Sequence, residues 1–145
     1  MSAKKSLAFK LTVDKNNQWF VSAWVVLNQR KTVARFKIDT GCNALVLSHS
    51  TLKSLGLSVK STDLSKLPNE TAKLASGETS SFKKLGAVSL YTDKPQSVLI
   101  CNAQAICHAT RATNDLMGTE VFSQFTGVNF NLATEKYLEL HTGTV

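Results

Sequence analysis

With 145 residues and a formal charge of +7, from 17 Lys+Arg against 10 Asp+Glu, the chain is expected to form one domain spanning 1–145 with a real core. No apolar run approaches the ~18 residues of a membrane span. The opening Met1-Ser2-Ala3-Lys4-Lys5 is not followed by the apolar stretch of a signal peptide, so a soluble, intracellular (cytoplasmic) protein without a membrane partner is expected.

The basic balance would attract acidic partners through long-range fields, but the lysines (Lys4, Lys5, Lys10, Lys15, Lys53, Lys60, Lys73, Lys83, Lys84) are scattered. The absence of a dense run argues against nucleic acid as the main partner. Three cysteines are an odd number, and Cys101 and Cys107 form no CxxC pair, so neither a disulfide framework nor a zinc site is indicated. His108 beside Cys107 lacks further ligands, and His49 and His141 stand alone. No metal or cofactor is expected, and reduced thiols are the default.

Residues 7–13 alternate apolar and polar side chains (Leu7, Phe9, Leu11, Val13), the period of a half-buried strand. Asp14-Lys15-Asn16-Asn17 is a turn, and residues 19–27, rich in Trp and Val, form a second strand. Asn28-Gln29-Arg30-Lys31 turns the chain back into a strand over 32–38, completing an antiparallel meander that ends at Asp39. Asp39-Thr40-Gly41 follows, and an apolar run resumes over 44–47.

A carboxylate is thereby delivered from a sheet interior to a tight loop, where burial beside Ile38 without a partner would be costly. Thr40 offers a hydroxyl to hold backbone or carboxylate groups, and Gly41 permits φ angles closed to other residues. Asp-Thr-Gly is equally a good turn, since Asp and Thr bond their own backbone. The tripeptide alone favours the turn. The surrounding order points to catalysis: strand, Asp-Thr-Gly, second strand, short helix, and far downstream Leu116-Met117-Gly118 before another helical pattern.

Ser48-His49-Ser50-Thr51 starts a helix with Leu52 and Leu55 on one face and Gly56 as stop, which leaves His49 exposed. Residues 58–68 read as an irregular surface loop. Residues 71–85 form a hairpin around Ser76-Gly77, which the residues alone do not distinguish from an ordinary surface hairpin. Strands follow over 86–91 and 97–106, with Cys101 and Cys107 as core residues. Residues 111–115 form a loop in which Asp115 reads as a solvated acid, like Asp14, Asp63 and Asp93 in theirs. A short helix over 120–125 and a hairpin of 128–132 with 137–140 complete an all-β fold with short helices.

Lys37-Ile38-Asp39-Thr40-Gly41, the apolar strand after it, and Leu116-Met117-Gly118 resemble the retropepsins, the single-lobe aspartic proteases of retroviruses and LTR retrotransposons. The resemblance runs over 19–140. Cys42 stands where the family usually has Ala, and Met117 where it prefers Ile or Leu; both replacements are small or apolar. The resemblance implies a retropepsin-like closed barrel with Asp39 as the catalytic carboxylate. Thr40, Gly41 and Gly118 would support the active-site loop. Gly41, Asn43 and the tip of a closing flap at Ala75, Ser76 and Gly77 would bind substrate.

Two Asp side chains about 3 Å apart cannot both ionise, so such a pair shares one proton. The ionised member activates water, and the neutral member donates to the carbonyl oxygen. With one Asp-Thr-Gly per chain, the second Asp must come from a two-fold partner, so a homodimer is expected. The implied activity is peptide-bond hydrolysis in a retroelement-type polyprotein, at mildly acidic pH. A catalytically silent peptide-binding or dimerisation domain of the same fold is the alternative.

Overall fold

The computed structural model describes residues 5–73, 79–93, 97–132 and 135–142. The chain runs β1 (Lys5–Lys10), β2 (Thr12–Val13), β3 (Trp19–Leu27), β4 (Arg30–Ile38), β5 (Leu45–Val46), α1 (His49–Ser54) and α2 (Ser61–Leu64). It continues as β6 (Asn69–Lys73), β7 (Thr79–Thr92), β8 (Leu99–His108), β9 (Leu116–Met117), α3 (Thr119–Phe122), β10 (Gly127–Asn131) and β11 (Tyr137–Thr142). The mainly-β architecture expected from the alternating segments is the one observed.

Six strands close a barrel in the order β3-β4-β9-β5-β8-β7, with β7 pairing back onto β3. A separate three-stranded sheet, β1-β11-β10, packs against it. Residues 7–13 are therefore two strands and not one. Leu11, buried between them, donates its N–H to the Lys136 carbonyl at 3.0 Å, and β2 leaves the small sheet to pair with β3.

The β3–β4 hairpin follows its side-chain pattern closely. Val21, Ala23, Val25 and Leu27 alternate inward on β3, and Ala34 and Phe36 do so on β4, as a period of two requires. Outside, the Arg35 guanidinium stacks 3.8 Å from the Phe20 ring centroid. The turn is the two-residue Asn28-Gln29, both at positive φ (52° and 67°), so β4 begins two residues earlier than expected. The 71–85 hairpin is also present as β6 and β7, with Lys73 opposite Thr79; its tip, including Ala75, Ser76 and Gly77, lies outside the described residues. A bulge interrupts β7 between Lys84 and Gly86, where Gly86 takes φ 90°.

Residues 58–68, expected to be irregular, contain α2, whose Leu64 joins the core while Asp63 takes the Ser58 hydroxyl at 2.6 Å. One buried leucine is too sparse a pattern to announce a helical turn.

The connection that matters most is made by the two shortest strands. β9 lies between β4 and β5, parallel to the first and antiparallel to the second. The loop 39–44 therefore has to arch over β9 to carry the chain from one side of it to the other.

Candidate functional site

Strand β4 ends at Ile38, and Asp39 still donates its N–H to the Met117 carbonyl at 3.0 Å, so its backbone belongs to the sheet. Its side chain belongs to the turn. Asp39 Oδ1 accepts from the Gly41 N–H at 3.2 Å, and the Asp39 carbonyl accepts from the Cys42 N–H at 3.1 Å. The turn reading of Asp-Thr-Gly is thus correct as local structure, and it leaves Oδ2 outside the turn's own hydrogen bonds. Asp39 is half-buried, while Thr40 and Gly41 are exposed beside it. The Thr40 hydroxyl bonds nothing among the described residues. Positive φ occurs at Gly56 and Gly86 and not at Gly41, so the conformational freedom expected of Gly41 is unused.

The arch is pinned from beneath. Gly118 donates to the Ala44 carbonyl at 3.1 Å and Thr119 to the Cys42 carbonyl at 3.0 Å. A Cβ on Gly118 would lie 2.2 Å from the Cys42 oxygen and 2.7 Å from the Ala44 oxygen. Gly118 itself is extended (φ −112°, ψ −159°), so what the position demands is space, not an unusual backbone. Cys42, Val46, Phe82 and Ile106 form a small apolar cluster below the arch. Burial, together with the Asp39 carboxylate, pushes the Cys42 thiol up, although a hydrogen bond with the Ala44 backbone opposes this. Burial also carries Cys101 and Cys107 to about 11, which suits their expected place in the core.

A cavity of about 480 Å³ opens on Asp39, with Lys37, His108, Arg111 and Asn114 around it and Val46, Phe82 and Leu116 as apolar walls. Asn43 does not reach it. The exposed Asn43 lines a separate cleft of about 180 Å³ with Glu70, Thr71, Gln104 and Glu120. A larger opening of about 610 Å³, between Lys10, Leu11 and Glu135–Tyr137, shares no lining residue with the Asp39 cavity. Among the described residues no group of three His, Cys, Asp or Glu side chains converges as metal ligands would, and no helix is long and apolar enough to cross a membrane.

Two residues read differently in three dimensions. Asp115 is not a solvated acid: Oδ1 accepts from the Ser48 N–H at 2.7 Å and Oδ2 from the Thr51 hydroxyl at 2.9 Å. Burial raises its carboxyl above the ordinary value, and these hydrogen bonds pull the other way. Asp115 thus clamps the cavity's 109–115 loop to the start of α1. His49 is not free on its helix, since its Nε2 lies 2.9 Å from the His108 carbonyl. His108 is buried against Phe82, its Nδ1 accepting from the N–H groups of Thr110 and Arg111, both at 3.1 Å. Burial, the Arg111 guanidinium and His49 hold His108 below the usual histidine range. Ser48, 67 residues from Asp115, lies in the expected helix start and is the N-cap of α1, but its local sequence carries no sign of that distant partner.

No family model matches the sequence, and no curated protein is similar to it. Among solved structures, the chain is similar to a retropepsin-like aspartic protease from Rickettsia conorii, with a TM-score of 0.56 and 16% identity over 97% of this chain and 93% of that one. At that identity the likeness concerns the fold. The chain therefore has a retropepsin-like fold, a closed β-barrel with the Asp39 loop arched over the Leu116-Met117-Gly118 strand end.

Proposed function

We propose that the protein is an aspartic endopeptidase whose working form is a homodimer, with Asp39 and its symmetry-related copy as the catalytic pair. The observation that carries this reading is the mounting of Asp39. Its backbone is held by β9, one carboxylate oxygen is oriented by the Gly41 N–H, and its side chain faces a cavity large enough for a peptide side chain.

In the paired state one carboxylate takes a proton from water as the water attacks the peptide carbonyl. The other, protonated, donates to the oxygen that becomes negative. Thr40, exposed and with no side-chain hydrogen bond among the described residues, would pair across the two-fold axis and hold the loops in register. Gly41 would present its carbonyl to substrate, and Ala75, Ser76 and Gly77 would cover an extended peptide by strand addition. Asn43 would contact substrate only further along, since its cleft is separate. The polyprotein substrate implied by the sequence resemblance is part of the same proposal.

The test compares wild type with Asp39→Asn on a mixed peptide library between about pH 4 and 7, with sedimentation alongside. Asn retains the acceptor for Gly41, so the variant is expected to fold and to dimerise while cleavage falls by roughly 10²–10⁴-fold or more. Equal cleavage by both proteins, or cleavage by a monomer, would refute the dyad.

A further inference from the structure

The cavity at Asp39 holds more positive than negative charge. Lys37 lies two residues before Asp39 on β4, and strand alternation puts the two side chains on one face. Arg111 approaches from a different element, the 109–115 loop, and lines the same cavity. Among the described residues neither cation forms an ion pair with Asp39 or with any other acid. His108, on the same wall, uses Nδ1 to accept two backbone N–H groups, which leaves its ring proton on Nε2 as a donor.

These groups surround apolar surface from Val46, Phe82 and Leu116. An apolar side chain entering here would strip water from Lys37 without replacing it, and a basic one would be repelled. A carboxylate would meet two unpaired cations and keep its methylene groups against the apolar walls.

We propose that, on the protease reading above, this cavity is a specificity subsite that selects an Asp or Glu side chain of the peptide next to the scissile bond, with Lys37 and Arg111 as its counter-ions. Lys37 and Arg111 line the same cavity as the reacting Asp39 carboxylate, so the selected side chain is one adjacent to the cut and not a remote one. Charge-assisted hydrogen bonds of this kind are worth roughly 10- to 100-fold in selectivity.

The probes are three pools of fluorescein-labelled dodecapeptides of mixed sequence, with one central residue held as Glu, Gln or Leu. Product mapping by mass spectrometry is expected to show wild type cutting beside the fixed Glu roughly 10- to 100-fold faster than beside Gln or Leu. Lys37→Met combined with Arg111→Gln should remove that preference, so that the Glu and Gln pools are cut at rates within a few-fold of each other. Equal rates for Glu and Gln, or a preference for Leu, would overturn the proposal and leave the protease reading intact. Should wild type cut none of the pools, the protease reading fails on its own. Fluorescence anisotropy with Asp39→Asn then decides the subsite: tighter binding of the Glu pool, lost with the double substitution, supports it. Equal binding of the three pools, or none, overturns it. If the double variant does not fold by circular dichroism, Arg111→Gln alone, in an exposed loop, carries the same comparison and should reduce the preference.

Discussion

Gly118→Ala tests the arch directly. The new Cβ would lie 2.2 Å from the Cys42 oxygen, 2.7 Å from the Ala44 oxygen and 2.9 Å from the Cys42 carbonyl carbon, all backbone atoms that no rotamer change can move. Reaching an ordinary C···O separation of about 3.3–3.6 Å requires the loop and the 116–119 segment to part by about 1 Å. That displacement breaks or stretches the Gly118–Ala44 and Thr119–Cys42 hydrogen bonds, each worth about 0.5–1.5 kcal/mol, on top of about 1–3 kcal/mol for overpacking. The total is about 2–6 kcal/mol, a large share of a typical stability of about 5–15 kcal/mol. With a urea m-value of about 2 kcal/mol/M, the midpoint should fall by about 1–3 M.

Two other glycines calibrate the result. Gly127→Ala meets nothing closer than a His141 side-chain carbon at 3.5 Å, so its midpoint should stay within about 0.5 kcal/mol of wild type or rise slightly. Gly86→Ala has open space but φ 90°, so it should cost about 1–2 kcal/mol from backbone strain alone. Since the arch carries Asp39, a surviving Gly118→Ala protein should also lose about 10²-fold in peptide cleavage, as a 1 Å misplacement of a catalytic group does. A Gly118→Ala midpoint within about 0.5 kcal/mol of Gly127→Ala would refute the pinned loop.

Thr40→Ala should weaken the dimer and leave monomer stability within about 0.5 kcal/mol, because the exposed hydroxyl has no partner among the described residues; sedimentation equilibrium reads the first and urea melts the second. Asp115→Ala should cost about 1–3 kcal/mol by orphaning the Ser48 N–H, whereas Asp115→Asn keeps that acceptor and should cost less. Because the Asp115 carboxyl titrates above its ordinary value in the native state, the folded protein holds that proton more tightly than the unfolded chain. Its contribution to stability is largest at low pH and declines as pH rises through the native titration. Thermal melts from about pH 3 to 6 should therefore move in favour of Asp115→Asn as pH rises, and parallel curves would contradict the burial of this acid. Gln29→Gly should stabilise by about 1 kcal/mol, since the type I′ turn holds Gln29 at φ 67°; a loss of stability would mean that the side chain contributes something its exposure does not reveal.

What the sequence by itself determined was set by neighbours in the chain. The Trp- and Val-rich run over 19–27 located β3 to the residue, because aromatic and β-branched side chains favour a pleated surface. Asp39-Thr40-Gly41 announced a turn because the carboxylate reaches an N–H two residues on, and Ser48 announced a helix because its hydroxyl reaches the Thr51 N–H. What only the tertiary structure decided depended on segments far apart. The division of residues 7–13 between two sheets follows from Lys136 and Phe20, and no local pattern marks it. Asp115 looked like any loop acid until Ser48 and Thr51 arrived beside it, and His49 looked exposed until the His108 carbonyl did. The cavity likewise draws Lys37, Phe82, and His108 with Arg111 from three stretches whose common feature is the closure of the barrel around β9. Turns and caps are bonds across two or three residues and are written locally; a binding cavity is a coincidence of distant surfaces, and only the closed fold brings those together.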